Sequence, residues 1–320
     1  MAEVAYYTHP SSHAHDTGPG HPESIDRIRA IDAAMAQADE AAATEVEAAT
    51  GDELRRVHSA DYIDRVLALD GEQGQLDYET VISPGSVAAA RYAAGACVGA
   101  ARAVLSGSSR TAFCAMRPPG HHAERDRGMG FCIFNNVAVA AADAIEGSHL
   151  QRVAVFDPDV HHGNGTERIF YRRDDVLYVS IHRDGTGGAS GIPFYPGTGG
   201  AGVRGAGAGM GYNVNLPLPA GADDGEFATA WRHALDVLRD YRPQLLLVSA
   251  GFDAHVLDPL GGMRVTSAGF AARYRELVAA MASAAVPMMV ALEGGYSLQA
   301  LAECVPSVVR ALSKFDDAGT

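Results

Sequence analysis

The sequence predicts an α/β fold in which a mostly parallel central sheet is flanked by helices, with one domain over residues 1–320. Three observations carry this. Short β-branched or apolar runs recur along the chain, and alanine-rich segments of helical length separate many of them. Several runs, "LLLVSA" among them, are continuously apolar rather than alternating. A strand reads that way when helices cover both faces of its sheet. No low-complexity linker or internal repeat divides the chain, so one domain is the economical reading.

In chain order, the first strand is expected at Val4–Thr8 and the first helix at Pro22–Gln37. A long alanine-rich helix follows at Ser86–Leu105. Pro22 and Pro84 lie at or near these helix starts, where a missing N–H costs little. Strands are then expected at Thr111–Ala115, Val153–Asp157, Val176–His182, Tyr212–Leu216, Gln244–Ala250 and Pro287–Glu293. The intervening helices are Asn136–Glu146, Glu226–Asp240, Ser267–Ala284 and Leu298–Ser313.

Composition narrows the function classes. Hydrophobic residues at 47% and charged residues at 20% match a globular protein in water. There is no apolar run of transmembrane length, and "MAEVAYYTHP" lacks a basic-then-apolar signal, so a cytoplasmic protein without a membrane partner is expected. Cys97, Cys114, Cys132 and Cys304 form no CxxC pair and sit in apolar surroundings, which reads as buried reduced thiols. A net charge of −14 argues against nucleic acid as a partner, and it permits a cationic substrate.

Residues Gly197 to Gly202 spell G-x-G-x-x-G. A dinucleotide fingerprint must follow a strand and open a helix, whereas this one follows "IPFYP" and runs into "GYNVNLPL", another strand. The glycines are read as permitting a tight loop.

Four strands end in polar text: "FDPDVHH", "SIH", "SAGFDAH" and "LEGGY". In open parallel sheets, ligands bind beyond the carboxyl ends of the strands. Asp159 and His161 are two apart, so at a strand end they point to one side. Asp253 follows "LLLVSAGF" and qualifies by position as a third ligand. Two carboxylates and one histidine leave a coordination position open, as in catalytic zinc sites. Taken singly, the aspartates could cap helices and His161 could be a packed core residue; the set points to a metal. "RPPGHHAERDRGMGFCIFNN" adds His121 and His122 after a rigid Pro-Pro-Gly turn. Imidazole is the natural base for a metal-activated water near neutral pH, and a carboxylate such as Asp157 can orient it. "LEGGYSL" supplies Tyr296, whose phenol could donate to an oxyanion.

Together these pieces resemble the histone deacetylase and acetylpolyamine amidohydrolase family, its class II-like branch in particular. The matching text is "HPES" with Arg27, "RPPGHHAE", "GFCIFNN", "DPDVHHGNGT", "SIHRDG", "YPGTGG", "SAGFDAH" with "DPLGG", and "LEGGYSL", in order from about residue 21 to residue 298. The resemblance implies an arginase/deacetylase-type fold, one catalytic zinc, and hydrolysis of an N-acyl amide to an amine and a carboxylate. Carried over by position, it makes Asp159, His161 and Asp253 the zinc ligands and His122 the general base. His121 becomes its partner, bonded to Asp157, and Tyr296 polarises the carbonyl. Phe131, Tyr195 and Leu260 become tunnel walls. A structural potassium would use Asp157, Asp159, His161, Ser180 and Ile181. The implied substrates are acetyl-lysine, acetylpolyamines or other small N-acyl amines, with "HPSSHAHDTGPGHPE" as a rim loop that selects among them. Two positions depart from the family pattern. Pro158 removes a backbone donor between Asp157 and Asp159. Asn164 stands where some branches carry aspartate, which should leave His122 less basic. Rival readings are an arginase-like binuclear manganese hydrolase and a non-catalytic acyl-lysine binding protein.

Overall fold

Residues Leu245 to Ala250 are buried at every position, and their side chains divide between two cores. Leu245 and Leu247 enter one cluster with Tyr7, Val155 and the helix Ser86–Ser106, while Leu246 and Val248 enter another with Phe156, Trp231 and Tyr274. Period-2 alternation does this in any strand; here both faces find apolar partners, so no polar side is needed. The computed structural model describes residues 4–38, 42–187, 191 and 193–318.

Its strands are β1 (Ala5–Tyr7), β2 (Ala43–Thr44), β3 (Gly74–Gln75), β4 (Val81–Ile82), β5 (Thr111–Cys114), β6 (Val153–Asp157), β7 (Val176–Arg183), β8 (Asn213–Leu218), β9 (Leu245–Ala250) and β10 (Met288–Leu292). Eight of them form one sheet in the order β2-β1-β5-β10-β9-β6-β7-β8, and every pairing in it is parallel. β3 and β4 make a separate antiparallel hairpin. Helices Ser86–Ser106 and Asn136–Ser148 cover one face. Helices Ile25–Ala38, Asp224–Tyr241, Ser267–Ser283 and Leu298–Leu312 cover the other. The α/β class and the parallel sheet expected from sequence are the fold observed.

All seven expected strands and six expected helices are present, with ends shifted by a few residues. The first helix starts at Ile25 rather than Pro22, because Glu23 is drawn into a buried ion cluster described below. The edge strand β2, the β3–β4 hairpin and the short helices Ser11–Ala14, Gly51–Arg55, Ala60–Leu67 and Asn164–Phe170 were not expected. Most are too short to show a periodicity. The glycine tract forms turns, with Gly197 and Gly199 at positive φ, and leads to β8 rather than to an α-helix. All four cysteines are free and buried. Among the described residues, no helix is long and apolar enough to cross a membrane.

Candidate metal centre and its pocket

β6 ends at Asp157, the last residue paired with β7, and Pro158 has no N–H with which to extend the ladder. Asp159 and His161 therefore lie just past the strand end, in the connection to the helix Asn164–Phe170. Carboxylates take up the loop's backbone donors. Asp159 N–H donates to Asp157 Oδ1 (3.3 Å), Val160 N–H to Asp253 Oδ1 (2.9 Å) and His161 N–H to Asp159 Oδ1 (2.9 Å). Asp253 follows β9, the strand beside β6, so the two loops meet.

Ligand atoms of Asp159, His161 and Asp253 all lie within 4.8 Å of one another, and all three residues are buried. His161 Nδ1 faces both Asp253 Oδ2 (3.0 Å) and Asp159 Oδ1 (3.2 Å). Burial and then the facing Asp159 push Asp253 up to about 7. Asp159 is held below the usual carboxylate range: burial opposes its charge, but His121 and His161 outweigh it. His161 is raised to about 9 by the two carboxylates against the effect of burial. Two buried carboxylates that must borrow charge from histidines form a site that a divalent cation would neutralise. Gly294 lets the cluster close: a Cβ there would sit 2.1 Å from Asp253 Oδ2 and 2.7 Å from Asp159 Oδ2, while its N–H donates to Asp159 Oδ2 (2.8 Å).

The double histidine lies beyond β5. His121 Nδ1 meets Asp157 Oδ2 at 3.1 Å, and the same oxygen accepts from the Tyr178 hydroxyl (3.0 Å). Burial works against a charge on His121, yet Asp157 and Asp159 raise it to about 10. His122 Nδ1 meets Asn164 Oδ1 at 2.8 Å, and Asn164 Nδ2 donates to Glu124 Oε1 (2.8 Å). Glu124 thereby fixes the amide's orientation, so Nδ1 of His122 is the protonated nitrogen and Nε2 is free to accept. Burial, then His121 and His161, lower His122 well below its ordinary value, which keeps it neutral.

His122 and His161 line a cavity of about 220 Å³ with Glu79, Gly130, Phe131, Phe194, Tyr195, Leu260 and Tyr296. The three expected tunnel residues, Phe131, Tyr195 and Leu260, are thus together in its wall. Phe131 has φ +67°, a left-handed conformation rare for an aromatic residue, and its ring meets the Tyr296 ring edge-on at 5.9 Å. Burial and then Asp253 push the Tyr296 phenol well above its ordinary value, so it remains a donor. Ser180 and Ile181 lie on β7, with Ser180 directly paired to Asp157 and both residues buried.

The expected rim segment, His9 to Glu23, is largely an anchor. Arg117 donates to the carbonyls of Ser12 (2.7 Å), His15 (3.2 Å) and Glu23 (2.9 Å). Only its end reaches the pocket wall, where His21 packs edge-on against Phe131 at 4.8 Å. Glu23, Arg27 and Arg117 are each 0% exposed, and Glu23 Oε1 accepts from Arg27 Nη1 (2.7 Å) and Arg117 Nε (2.6 Å). Arg27 then donates to the carbonyls of Glu293 and Gly295, both at 2.6 Å, beside Tyr296. Despite burial, Arg117 and then His15 and Arg27 hold Glu23 well below the carboxylate range. A group whose folded pKa is depressed adds stability above its unfolded pKa, near 4.3, and loses it as pH falls below that. Glu23→Ala strands two buried guanidinium groups and is expected to cost about 3–5 kcal/mol in urea unfolding at pH 7. The gap should narrow toward pH 3; a gap that widens on acidification contradicts this account.

Sequence reasoning did not find Glu79, Gly130, Phe194 or Glu124. Phe194 stacks on His161 at 4.9 Å and 13°, and nothing local to "IPFYP" announced that. Glu124 stood inside the quoted "GHHAE" block and carried the signal: an acid just after the histidines.

A family model described as Histone deacetylase domain matches residues 21–312. The histone deacetylase-like amidohydrolase of Pseudomonas aeruginosa is 41% identical over 268 residues, covering 83% of this chain and 69% of its own. A probable deacetylase of Methanothermobacter thermautotrophicus is 40% identical, with 92% and 86% covered. Histone deacetylase 15 of Arabidopsis thaliana is 38% identical over 91% of this chain, which spans only 52% of that protein. The crystal structure of an HDA15 HD domain superposes with a TM-score of 0.92 at 35% identity, covering 99% of this chain and 91% of that one.

Proposed function

Because the chain belongs to the histone deacetylase family, we propose that it is a zinc-dependent deacylase that hydrolyses the N-acetyl or N-acyl amide of a primary amine. The substrate class is acetyl-lysine, acetylpolyamine or a related small N-acyl amine, and the setting is cytoplasmic. One observation carries the reading: the Asp159–His161–Asp253 cluster, a histidine held neutral and the Tyr296 phenol meet in a single aromatic-walled pocket. Asp159, His161 and Asp253 would hold the zinc, since two carboxylates and one imidazole leave a position for water and substrate. Bound there, zinc would supply Lewis-acid polarisation and a more acidic water. Potassium would sit at Asp157, Asp159, His161, Ser180 and Ile181, as structural support.

The chain's own residues do the rest. His122 Nε2 accepts a proton as water oxygen attacks the acyl carbon. Tyr296 donates its hydroxyl hydrogen bond to the carbonyl oxygen as negative charge develops there. His121, kept cationic by Asp157, adds favourable field at the pocket floor and discourages a second charge on His122. When the C–N bond breaks, His122 returns the proton to the departing amine nitrogen. Phe131, Tyr195 and Leu260 line the path of an extended alkyl chain and exclude water from it. An arginase-type second metal would need another ligand cluster. Among the described residues, the three named above are the group of three or more metal-binding side chains that converges.

Amine release from an acetyl-lysine peptide and from acetylpolyamines, with metal content measured in the same sample, tests the proposal. No release from either class sinks it. Tyr296→Phe is expected to fold and keep its metal but lose about 10²–10³ in turnover, or ~3–4 kcal/mol, as for removal of one oxyanion donor. The effect belongs in kcat more than in KM, because the oxyanion is complete only in the transition state. A turnover within about threefold of wild type would remove Tyr296 from the mechanism.

A further inference from the structure

Tyr296 has a problem of position. Among the described residues, no hydrogen bond holds its hydroxyl, so its backbone and its ring contacts must aim it. On one side Arg27 holds the carbonyls of Glu293 and Gly295, and Gly294 N–H is fixed on Asp159 Oδ2. On the other, Ser297 caps the helix Leu298–Leu312, its side chain accepting from Ala300 N–H. The Gly294–Gly295 pair is therefore flanked by hydrogen bonds on both sides.

The N–H of Tyr296 itself goes to Asp258 Oδ2, at 2.7 Å. Asp258 lies in the connection after β9, beyond Asp253. Its other oxygen, Oδ1, accepts from Leu260 N–H (2.9 Å) and Gly261 N–H (3.1 Å). These two bonds close the turn that presents Leu260 to the pocket, and the turn lies hard against the metal loop: a Cβ on Gly261 would sit 1.7 Å from the Asp253 carbonyl oxygen. One carboxylate thus holds two parts of the pocket that come from different strand ends.

We propose that Asp258 is a positioning residue: its two oxygens tie the main chain of Tyr296 to the turn bearing Leu260, so the oxyanion donor and the tunnel wall are placed as one unit. The inference rests on the catalytic reading of Tyr296 above. Hydrogen bonds from N–H to a carboxylate are about twice as strong as neutral ones, and a second-side anchor of this kind suits a group that has no polar partner of its own. A misplacement on the order of 1 Å at a reacting group can cost ~10²-fold in rate. The hydrogen bonds of the Asp258 carboxylate go to Tyr296, Leu260 and Gly261 and not to the metal ligands. Its charge also acts on Asp253 and His161, so metal content and a comparison in the absence of the Tyr296 hydroxyl are needed to isolate the positioning effect.

Asp258→Asn separates the two duties, because a carboxamide has one accepting oxygen and its NH₂ cannot accept from Tyr296 N–H. With that oxygen kept by the Leu260 turn, kcat on an acetyl-lysine peptide is expected to fall about 30-fold with KM within about threefold, metal retained. Asp258→Ala loses both anchors and should raise KM as well. The deciding measurement is a double-mutant cycle. In the Tyr296→Phe background, Asp258→Asn should cost less than about threefold, because the hydroxyl it aims is already gone. An equal loss in both backgrounds, or no loss with Tyr296 intact, overturns the positioning role. If Tyr296→Phe alone is near wild type, the catalytic reading fails instead. Should Asp258→Ala not fold, the Asn variant in the two backgrounds still decides.

Discussion

Asp253→Ala is expected to leave the chain folded and strip it of its metal. Asp253 contributes one of only two carboxylates in a three-ligand cluster, and an ion held by Asp159 and His161 alone is under-coordinated. Elemental analysis should show occupancy falling from about one divalent ion per chain to near none, and amine release falling to the blank. Asp253 is also the carboxyl pushed up to about 7 by burial and by Asp159, so deleting it relieves repulsion as well as removing a ligand. Its melting temperature should therefore stay close to that of chelator-treated wild type. Asp159→Ala should behave alike in metal content. Full zinc in both variants would end the assignment.

His122→Ala should abolish turnover while metal content holds. A general base is worth roughly 10²–10⁴-fold, and here the same nitrogen must also protonate the amine. The Asn164 contact prepares it: with Nδ1–H fixed on Oδ1, the basic nitrogen faces the pocket in the neutral ring. His121→Ala should do less harm, because its charge acts from the side. If the His121 variant proves the more damaging on matched samples, the two roles are reversed.

Much of this was legible in the chain because the sheet is parallel and buried. Runs such as Val153–Asp157 need apolar residues at every position, and polar residues at their ends stand out. Asp159, His161 and Asp253 were found that way, His121 and His122 as a pair after a Pro-Pro-Gly turn, and the structure brings them together. What could not be read was reach. Glu79 enters the pocket from the turn of the β3–β4 hairpin and Phe194 from the long connection between β7 and β8, and neither sits in a periodic segment. Alternation says where the side chains of Asp159 and His161 point just past the strand end; it does not show the backbone bonds to Asp157, Asp159 and Asp253 that hold their loop. In the segment from His9 to Glu23, the carbonyls of Ser12, His15 and Glu23 accept from a buried arginine, Arg117, which no local pattern reveals.

The strand order has a consequence for how this protein is made. β6 lies between β9 and β7, and β5 lies beside β10, its partners near residue 290. During synthesis Asp159 and His161 emerge long before Asp253, and Tyr296 comes nearly last. A chain stopped before residue 245 carries two ligands and no third, and it leaves open the edge of β6 on which β9 belongs. Unpaired apolar edges of that kind invite association with other chains. A metal held by Asp159, His161 and Asp253 would therefore bind only after β9 has joined β6, and its occupancy would report that pairing rather than the first half of the chain alone.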